Sequence, residues 1–311
     1  ENIFITDARY IEDVHNTLTL FDEIVVYDAR GLTKDDYENF FMFCENVGFE
    51  ENYVTYAKYK EYIRKYKTNN LVETEDLIEK QRMIKDEEEI ESIRNACNIT
   101  DNCFSYILNY IKVGMTEKEI ARKIDEYYEK NAEGKSFDTI VASGENSSKP
   151  HAVPTERRIQ KTDIITIDMG CKVNGYCSDM TRTIFVGNIP EKVKEIYDLV
   201  LKNQEQVLKD MKEGTNTKQI SKMVDNDFRL HDYDLVHALG HGVGLDIHEA
   251  PILSCNSESI LKENMVVTDE PGIYLIGKFG IRIEDTVLIT KNGCETLTKS
   301  NKKYVIIHKR T

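Results

Sequence analysis

The sequence lacks the features by which nucleic-acid-binding and membrane proteins are usually recognised. Its 311 residues carry 41 Lys and Arg against 55 Asp and Glu, a formal net charge of −14. Such a chain has no general positive field for nucleic acid or an anionic membrane. No apolar run approaches the roughly eighteen residues that a transmembrane helix needs. We therefore predict no nucleic-acid partner and no membrane span, whereas 40% hydrophobic residues are enough for a real core.

Closely spaced cysteine pairs are also missing. The seven cysteines are odd in number, scattered between Cys44 and Cys294, and form no C-x-x-C motif. This pattern is typical of a reduced, cytosolic protein without a disulfide framework. We therefore expect a cytoplasmic location, with each cysteine serving as a small buried apolar residue.

Hydrophobic periodicity and start signals predict an α+β protein in two parts. The first part, residues 1–80, reads as a small α/β domain. Its strands are predicted at 2–6, 23–27 and 52–56, and its helices at 34–47 and 57–67.

The second part, residues 81–311, repeats the order helix, helix, strands. Helices are predicted at 86–111 and 116–131, and again at 191–212 and 217–229. The stretch "GMTEKEIARKID" (114–125) matches "GTNTKQISKMVD" (214–225), "TIDMG" answers "TDEPG", and "CSDMTRTIFV" answers "RIEDTVLI". Because these matches occur in the same order, they predict a pseudo-symmetric domain of two related halves.

The repeat brings two pairs of carboxylates toward a common axis. It sets Asp168 opposite Glu270 and Asp179 opposite Glu284. Four carboxylates in a core repel one another and lose hydration, so they stay ionised only if cations neutralise them. Two divalent metals would balance the four charges. With one imidazole added, this oxygen-rich set suits Mn, Co, Fe or Zn rather than a structural zinc.

Three of the seven histidines fall within the segment "HALGHGVGLDIHEAP" (237–251). The i, i+4 spacing of His237 and His241 is that of a zinc-binding helix. However, one glycine lies between these histidines and two more follow within three residues, and glycines disfavour a helix. An extended segment in close approach to its neighbours fits better. One histidine would then bind a metal, while the others, His248 among them, act as hydrogen-bond donors or proton carriers.

These stretches resemble the pita-bread metallopeptidases, and within them the proline-dependent branch of Xaa-Pro dipeptidase (prolidase) and Xaa-Pro aminopeptidase. The resemblance covers about residues 83–308 and includes "KPHAVP", "TIDMGCKVNGYCSDMTRT", "MVVTDEPGIY" and "GIRIEDTVLIT". Upstream, "FITDARYIE" resembles the middle of that branch's creatinase-like N-terminal domain, whose first strand–helix–strand portion we expect to be missing. The resemblance implies a partial creatinase-like domain at 1–80 and a pita-bread catalytic domain at 81–311.

The resemblance also implies a dinuclear metal site, with manganese first among the candidate ions and cobalt, zinc or iron as the others. Asp168 would chelate one metal, Asp179 and Glu284 would bridge both, and His241 and Glu270 would complete the second. A hydroxide held between the two metals would attack the Xaa-Pro bond at the N-terminus of a dipeptide or short peptide.

The remaining implied roles concern the substrate, a proline-containing peptide, and a homodimer is expected on the same ground. Glu270 would also carry a proton to the leaving nitrogen, and His151 and His248 would donate hydrogen bonds to the reacting carbonyl. His237 would shape the proline pocket. Arg282 would orient Glu284 or a substrate carboxylate.

Several alternatives stay open at the level of sequence. His151, His237 and His248 could each be structural, and the chain could be a non-catalytic binding module on the same fold or an enzyme of the methionine aminopeptidase kind. Dipeptidase and aminopeptidase share these motifs. No arginine lies between His248 and Glu270, where some prolidases carry one for the substrate carboxylate.

Overall fold

The structure, a computed structural model, describes residues 3–17, 23–27, 44–66 and 70–307. Contacts between residues divide the chain into two units, Glu1–Ile78 and Glu79–Thr311. Among the described helices, none is both long and apolar enough to cross a membrane.

The first unit contains two pairs of parallel strands, each connected through a helix. β1 (Ile3–Asp7) and β2 (Glu23–Tyr27) flank α1 (Ile11–Thr17), and β3 (Val47–Glu50) and β4 (Leu71–Thr74) flank α2 (Tyr56–Tyr66). A parallel pair requires such a crossover connection, so the α/β character that we predicted for this part is confirmed.

One predicted strand of this unit is wrong, and another element lies outside the described residues. Residues 52–56 do not form a strand, because the amide of Val54 donates to the carbonyl of Glu50 (2.9 Å) in a turn that leads directly into α2. The predicted helix at 34–47 falls mostly on residues 34–43, which are not described. Its last residue, Val47, begins β3.

The second unit begins with the end of α3 (Leu77–Arg82) and contains the four predicted helices. They are α4 (Glu87–Tyr110), α5 (Glu117–Asn131), α6 (Glu191–Asp210) and α7 (Thr217–Arg229). The start signals act as expected, since Asp86 caps α4 and Thr116 caps α5, each in a reciprocal capping box with a glutamate three residues on.

Two sheets accompany the two helix pairs. The first has the order β17–β9–β6–β5 and consists of β5 (Ile140–Ser143), β6 (Ile164–Met169), β9 (Met180–Val186) and β17 (Val305–Ile307). The second has the order β11–β10–β12–β15–β16 and consists of β10 (Gly240–Gly242), β11 (Glu249–Leu253), β12 (Val266–Asp269), β15 (Asp285–Thr290) and β16 (Gly293–Thr296). Antiparallel hairpins separate the central strands of each sheet, namely β7 (Lys172–Val173) with β8 (Tyr176–Cys177), and β13 (Gly272–Leu275) with β14 (Phe279–Arg282).

The predicted internal repeat is confirmed strand by strand. β5, β6 and β9 pair antiparallel in that order, as do β10, β12 and β15, and a hairpin follows the middle strand in each case. Backbone bonds outside the sheets repeat as well. The amide of Gly114 donates to Ile159 (2.9 Å), and the amide of Gly214 donates to Leu261 (2.8 Å).

Each half has a large hydrophobic core, and a smaller third core contains residues of both halves. On α4 and α5 the buried residues Ile107, Ile120 and Ile124 pack with strand residues of the first sheet, and the apolar faces of α6 and α7 pack in the same way against the second. This is the outcome expected of amphipathic helices laid on a sheet. The halves meet where the amide of Glu284 donates to the carbonyl of Thr181 (3.1 Å), which brings the ends of β9 and β15 together.

Candidate active site

All nine residues that the sequence singled out line one cavity of about 480 Å³ in the second unit. The four acidic residues among these nine come from equivalent places in the two halves. Asp168 lies near the end of β6 and Glu270 directly after β12, whereas Asp179 directly precedes β9 and Glu284 directly precedes β15. The other members are the four histidines and one arginine, namely His151, His237, His241, His248 and Arg282.

Three of these residues lie close enough together that they could hold a metal ion. Ligand atoms of Asp179, His241 and Glu284 all lie within 4.8 Å of one another, and all three residues are buried. Nε2 of His241 lies 3.5 Å from Oδ2 of Asp179 and 3.5 Å from Oε1 of Glu270. Within the described residues, Oδ1 of Asp168 and Oδ1 of Asp179 are buried without a hydrogen-bond donor. Buried carboxylate oxygens without donors fit a cation, because otherwise their lost hydration is not compensated.

Local backbone geometry presents the imidazole of His241 to the carboxylates. A Cβ atom at Gly240 would lie 2.1 Å from the carbonyl oxygen of Thr268, so only glycine permits this close approach of β10 to β12. The amide of His241 donates to Oγ1 of Thr268 (3.0 Å), and its Nδ1 lies 3.0 Å from the carbonyl oxygen of Gly242. Because a proton on Nδ1 satisfies that carbonyl, Nε2 is left with a free lone pair for a metal.

Arg282 contacts Asp168 directly and Glu284 only through a threonine. Its Nη2 donates to Oδ2 of Asp168 (2.6 Å), and its Nε donates to Oγ1 of Thr181 (3.0 Å), which donates in turn to Oε2 of Glu284 (2.6 Å). Nη1 donates to the hydroxyl of Tyr274 (2.7 Å), which lies 3.0 Å from Nε2 of His237.

Thr181 and Tyr274 are functional candidates that sequence reasoning missed. Thr181 lies two residues after Asp179, so strand alternation places both side chains on one face and was the available signal. Tyr274 lies on β13, opposite Gly280 of β14, and its contact with His237 joins positions far apart in the sequence. No local pattern reports such a contact.

Burial and mutual repulsion control the ionisation of the cluster. Burial, and then the neighbouring carboxylates, raise the pKa of Asp179 and of Glu284 well above the usual range. Burial raises the pKa of Glu270 to about 7, against the opposing charge of Arg282. For His241, burial lowers the pKa to about 4, so the imidazole is neutral at physiological pH, as a metal ligand must be.

Metal binding to this cluster should therefore release protons near neutral pH. The raised pKa values of Asp179, Glu270 and Glu284 mean that the metal-free cluster holds protons that a cation must displace. We expect the apparent affinity for Mn²⁺ to rise as the pH is raised through the Glu270 pKa of about 7. Titration calorimetry in two buffers of different ionisation enthalpy measures the release, and equal heats in both buffers would contradict the prediction.

A second acidic pair lies on the same strands but does not line the cavity. Asp269 and Asp285 are register partners between β12 and β15, and both are fully buried. Asp285 accepts hydrogen bonds from Arg182 (2.7 Å) and Lys302 (2.6 Å), so it forms buried ion pairs with both cations. Within the described part of the chain, neither carboxylate oxygen of Asp269 accepts a hydrogen bond.

Comparison with known proteins gives two family matches. Residues 91–291 match Metallopeptidase family M24, and residues 1–84 match the Creatinase/Prolidase N-terminal domain. The chain is 41% identical to the Xaa-Pro dipeptidase of Pyrococcus furiosus over 263 residues, which are 83% of this chain and 75% of that protein.

Solved structures show the same similarity over nearly the whole chain. An Xaa-Pro dipeptidase from Bacillus anthracis has a TM-score of 0.90 at 37% sequence identity, covering 97% of this chain and 85% of its own. An X-Pro aminopeptidase from Thermotoga maritima has a TM-score of 0.88 at 35% identity, covering 98% of this chain and 87% of its own. These matches confirm the predicted pita-bread architecture and the creatinase-like N-terminal domain.

Proposed function

The chain belongs to metallopeptidase family M24, and on that premise we propose that it hydrolyses the Xaa-Pro bond at the N-terminus of dipeptides or short peptides with two divalent metal ions. The observation that carries the proposal is the cluster of four carboxylates and one histidine in a single cavity, with buried carboxylate oxygens that accept no hydrogen bond from any described residue. Similarity to Xaa-Pro dipeptidases and to an X-Pro aminopeptidase supports the substrate class.

Five side chains would hold the metals: Asp168, Asp179, His241, Glu270 and Glu284. When bound, two divalent ions would lower the pKa of a water molecule and polarise the substrate carbonyl. Glu270 lines the cavity beside the other carboxylates, and it would also accept a proton and return it to the leaving nitrogen. The carboxylate of Asp168 is oriented by Arg282 and that of Glu284 by Thr181, so each donor group is held before any substrate arrives.

The histidines divide into two kinds. His151 and His248 lie exposed at the cavity, where each can donate a hydrogen bond to the charge that develops on the carbonyl oxygen. His237 is already bonded, with Nδ1 2.7 Å from the carbonyl oxygen of Ala238 and Nε2 3.0 Å from the hydroxyl of Tyr274. It therefore offers the substrate the face of its ring, which suits a wall of the proline pocket.

The chemistry of an Xaa-Pro bond matches this cavity. The proline nitrogen has no hydrogen and its ring fixes φ, so a site that requires a donor at that position fails. Here the apolar side chains of Phe137, Ile140 and Ile252 line the same cavity as the metal ligands. A pocket that binds the proline ring through shape complementarity does not need the missing N–H.

Whether the enzyme is a dipeptidase or an aminopeptidase depends on whether the cavity can bind the substrate carboxylate. Among the described residues that line the cavity, Arg282 is the one guanidinium, and its three nitrogens donate to Asp168, Thr181 and Tyr274. The carboxylate of a bound dipeptide would thus compete with existing bonds, whereas a longer peptide carries its carboxylate outside the cavity.

Hydrolysis by metal-stripped protein, before and after addition of Mn²⁺, tests the proposal. We expect Ala-Pro or Ala-Pro-Ala to be cleaved only after metal is restored, and the ratio of the two rates distinguishes dipeptidase from aminopeptidase. Ala-Ala-Ala is the control and should not be cleaved at a comparable rate. Cleavage of Met-Ala-Ser in preference to Ala-Pro-Ala would favour the methionine aminopeptidase alternative, and metal binding without any cleavage would favour a binding module.

A further inference from the structure

The segment that carries His248 is held from outside the cavity by a cluster of four charged residues. Residues 243–248 connect β10 to β11, and Glu249 is the first residue of β11. Its carboxylate is bonded by Arg82, at the end of α3, and by Nζ of Lys85 (3.0 Å), which precedes α4. Nη2 of Arg82 also donates to Oδ2 of Asp246 (2.8 Å). We call Arg82, Lys85, Asp246 and Glu249 the Glu249 cluster.

The Glu249 cluster determines the path of the connecting segment. Oε1 of Glu249 accepts a hydrogen bond from the amide of Asp246 (3.0 Å), so the carboxylate folds back over the segment that precedes it. A Cβ atom at Gly244 would lie 2.5 Å from Oε2 of Glu249, and glycine leaves the space that this carboxylate occupies. The carbonyl oxygen of Gly244 accepts a hydrogen bond from the amide of Cys177 (2.8 Å), which fixes the N-terminal end of the segment.

Burial makes this arrangement costly to disturb. The side chain of Lys85 is 1% exposed and that of Glu249 is 7% exposed. Two cations facing two carboxylates leave no net charge, whereas removing one partner leaves the other buried and unpaired, which costs far more than losing a surface ion pair. The segment is therefore held in one conformation rather than several.

The conformation of this segment determines the position of His248, which is next to Glu249 in the chain. Its ring lies edge-on to that of His241, with centroids 4.3 Å apart, and it lines the cavity from an exposed position. Apart from this ring contact, no described residue forms a hydrogen bond with the His248 ring. Its placement depends on the backbone on either side.

We propose that Glu249, held by Arg82 and Lys85, is a positioning residue that sets the orientation of His248 toward the substrate carbonyl. This inference rests on the proposed function, since it assigns Glu249 a part in the same reaction. Glu249 is not among the residues that line the cavity, so it would act through its neighbour.

The test is a double-mutant cycle between Glu249→Gln and His248→Ala. With Mn²⁺ bound, we expect Glu249→Gln to lower kcat for Ala-Pro-Ala about tenfold with little change in KM, because an interaction made in the transition state is lost. In the His248→Ala background the same substitution should change kcat less than about twofold, because coupled residues are non-additive. Equal effects in both backgrounds, or no effect of Glu249→Gln, would overturn the proposal.

Asp163→Asn is the matched control. The side chain of Asp163 is also 7% exposed, and it accepts from Arg157 (2.6 Å) and from the amide of Gln160 (2.7 Å), but it does not line the cavity. Its replacement removes a buried carboxylate from an ion pair of the same kind and should leave kcat within about twofold of the parent value. If Asp163→Asn lowers kcat as much as Glu249→Gln, the effect is general destabilisation and the proposal fails.

A spectroscopic readout separates this inference from the proposed function. In metal-free protein with ¹³C-labelled histidine, the His248 resonance, assigned with His248→Ala, should shift in Glu249→Gln and stay in place in Asp163→Asn. If the parent protein cleaves no Xaa-Pro bond, the proposed function fails while this shift still decides whether Glu249 positions the ring. Should Glu249→Gln not fold, Arg82→Met leaves Lys85 paired and should shift the same resonance, and an unmoved resonance would overturn the proposal.

Discussion

Replacing Asp179 by asparagine should abolish metal-dependent hydrolysis while making the metal-free protein more stable. Asp179 contributes one ligand atom to the group with His241 and Glu284, and a neutral amide cannot replace the charge that a divalent ion needs. We expect kcat to fall about 10³-fold or more. In the absence of metal, burial and repulsion from Glu284 and Asp168 make this carboxylate unfavourable, so its loss should add about 1–3 kcal/mol to the free energy of unfolding.

The prediction is that activity falls while the stability of the metal-free protein rises. Activity is measured on Ala-Pro-Ala with Mn²⁺, and stability by urea unfolding with a chelator present. Asp269→Asn is the control, because Asp269 is also buried without a hydrogen-bond donor in the described chain but does not line the cavity. It should raise stability and preserve activity. A stable, fully active Asp179→Asn protein would remove Asp179 from the metal site.

The second large effect concerns stability alone. Asp285→Asn should lower the free energy of unfolding by about 3 kcal/mol or more, because it leaves the guanidinium of Arg182, 1% exposed, without its buried counter-charge. Lys302 loses its partner on the other carboxylate oxygen as well. The same substitution at Asp269, directly across the strand pair, removes a carboxylate without donors and should be stabilising by about 1 kcal/mol.

The two variants are matched in chemistry, burial and strand position. The difference between their free energies of unfolding therefore isolates the effect of the ion-pair partners of Asp285. Urea midpoints of metal-free protein at one pH measure both. Changes of the same sign in both variants would show that burial alone, and not pairing, decides the stability of these carboxylates.

Much of the fold could be predicted because local signals and the repeat agree. Capping residues fixed the starts of α4 and α5, and the offset between residues 114–125 and 214–225 predicted two halves that the strand pairing reproduces. The predicted strand at 52–56 failed because its tyrosines, valine and threonine, which are enriched in strands, are equally compatible with a turn that begins α2. Only the tertiary structure decides between the two.

The site was predictable where its residues carry charge in a repeated pattern, and not where they act through contacts distant in sequence. Asp168 and Glu284 stand out as carboxylates beside apolar strands, so the pattern alone marked them. Tyr274 bonding to His237, and Lys85 bonding to Glu249 across 164 positions, join residues with no shared motif. Such pairs become visible only when the chain is folded.

The division of the five proposed ligands between the two halves, two in the first and three in the second, has a consequence for the integrity of the chain. The halves are joined through residues 187–190, a partly exposed connection between β9 and α6. A chain opened there would yield two fragments, each with an incomplete set of donors, that contact each other through the pairing of β17 with β9 and through a small shared core. Only the reassembled pair would hold the ions, so by mass action the cation would favour complementation of the fragments. The metal proposed for catalysis in the intact chain would then also link the two fragments without a covalent bond.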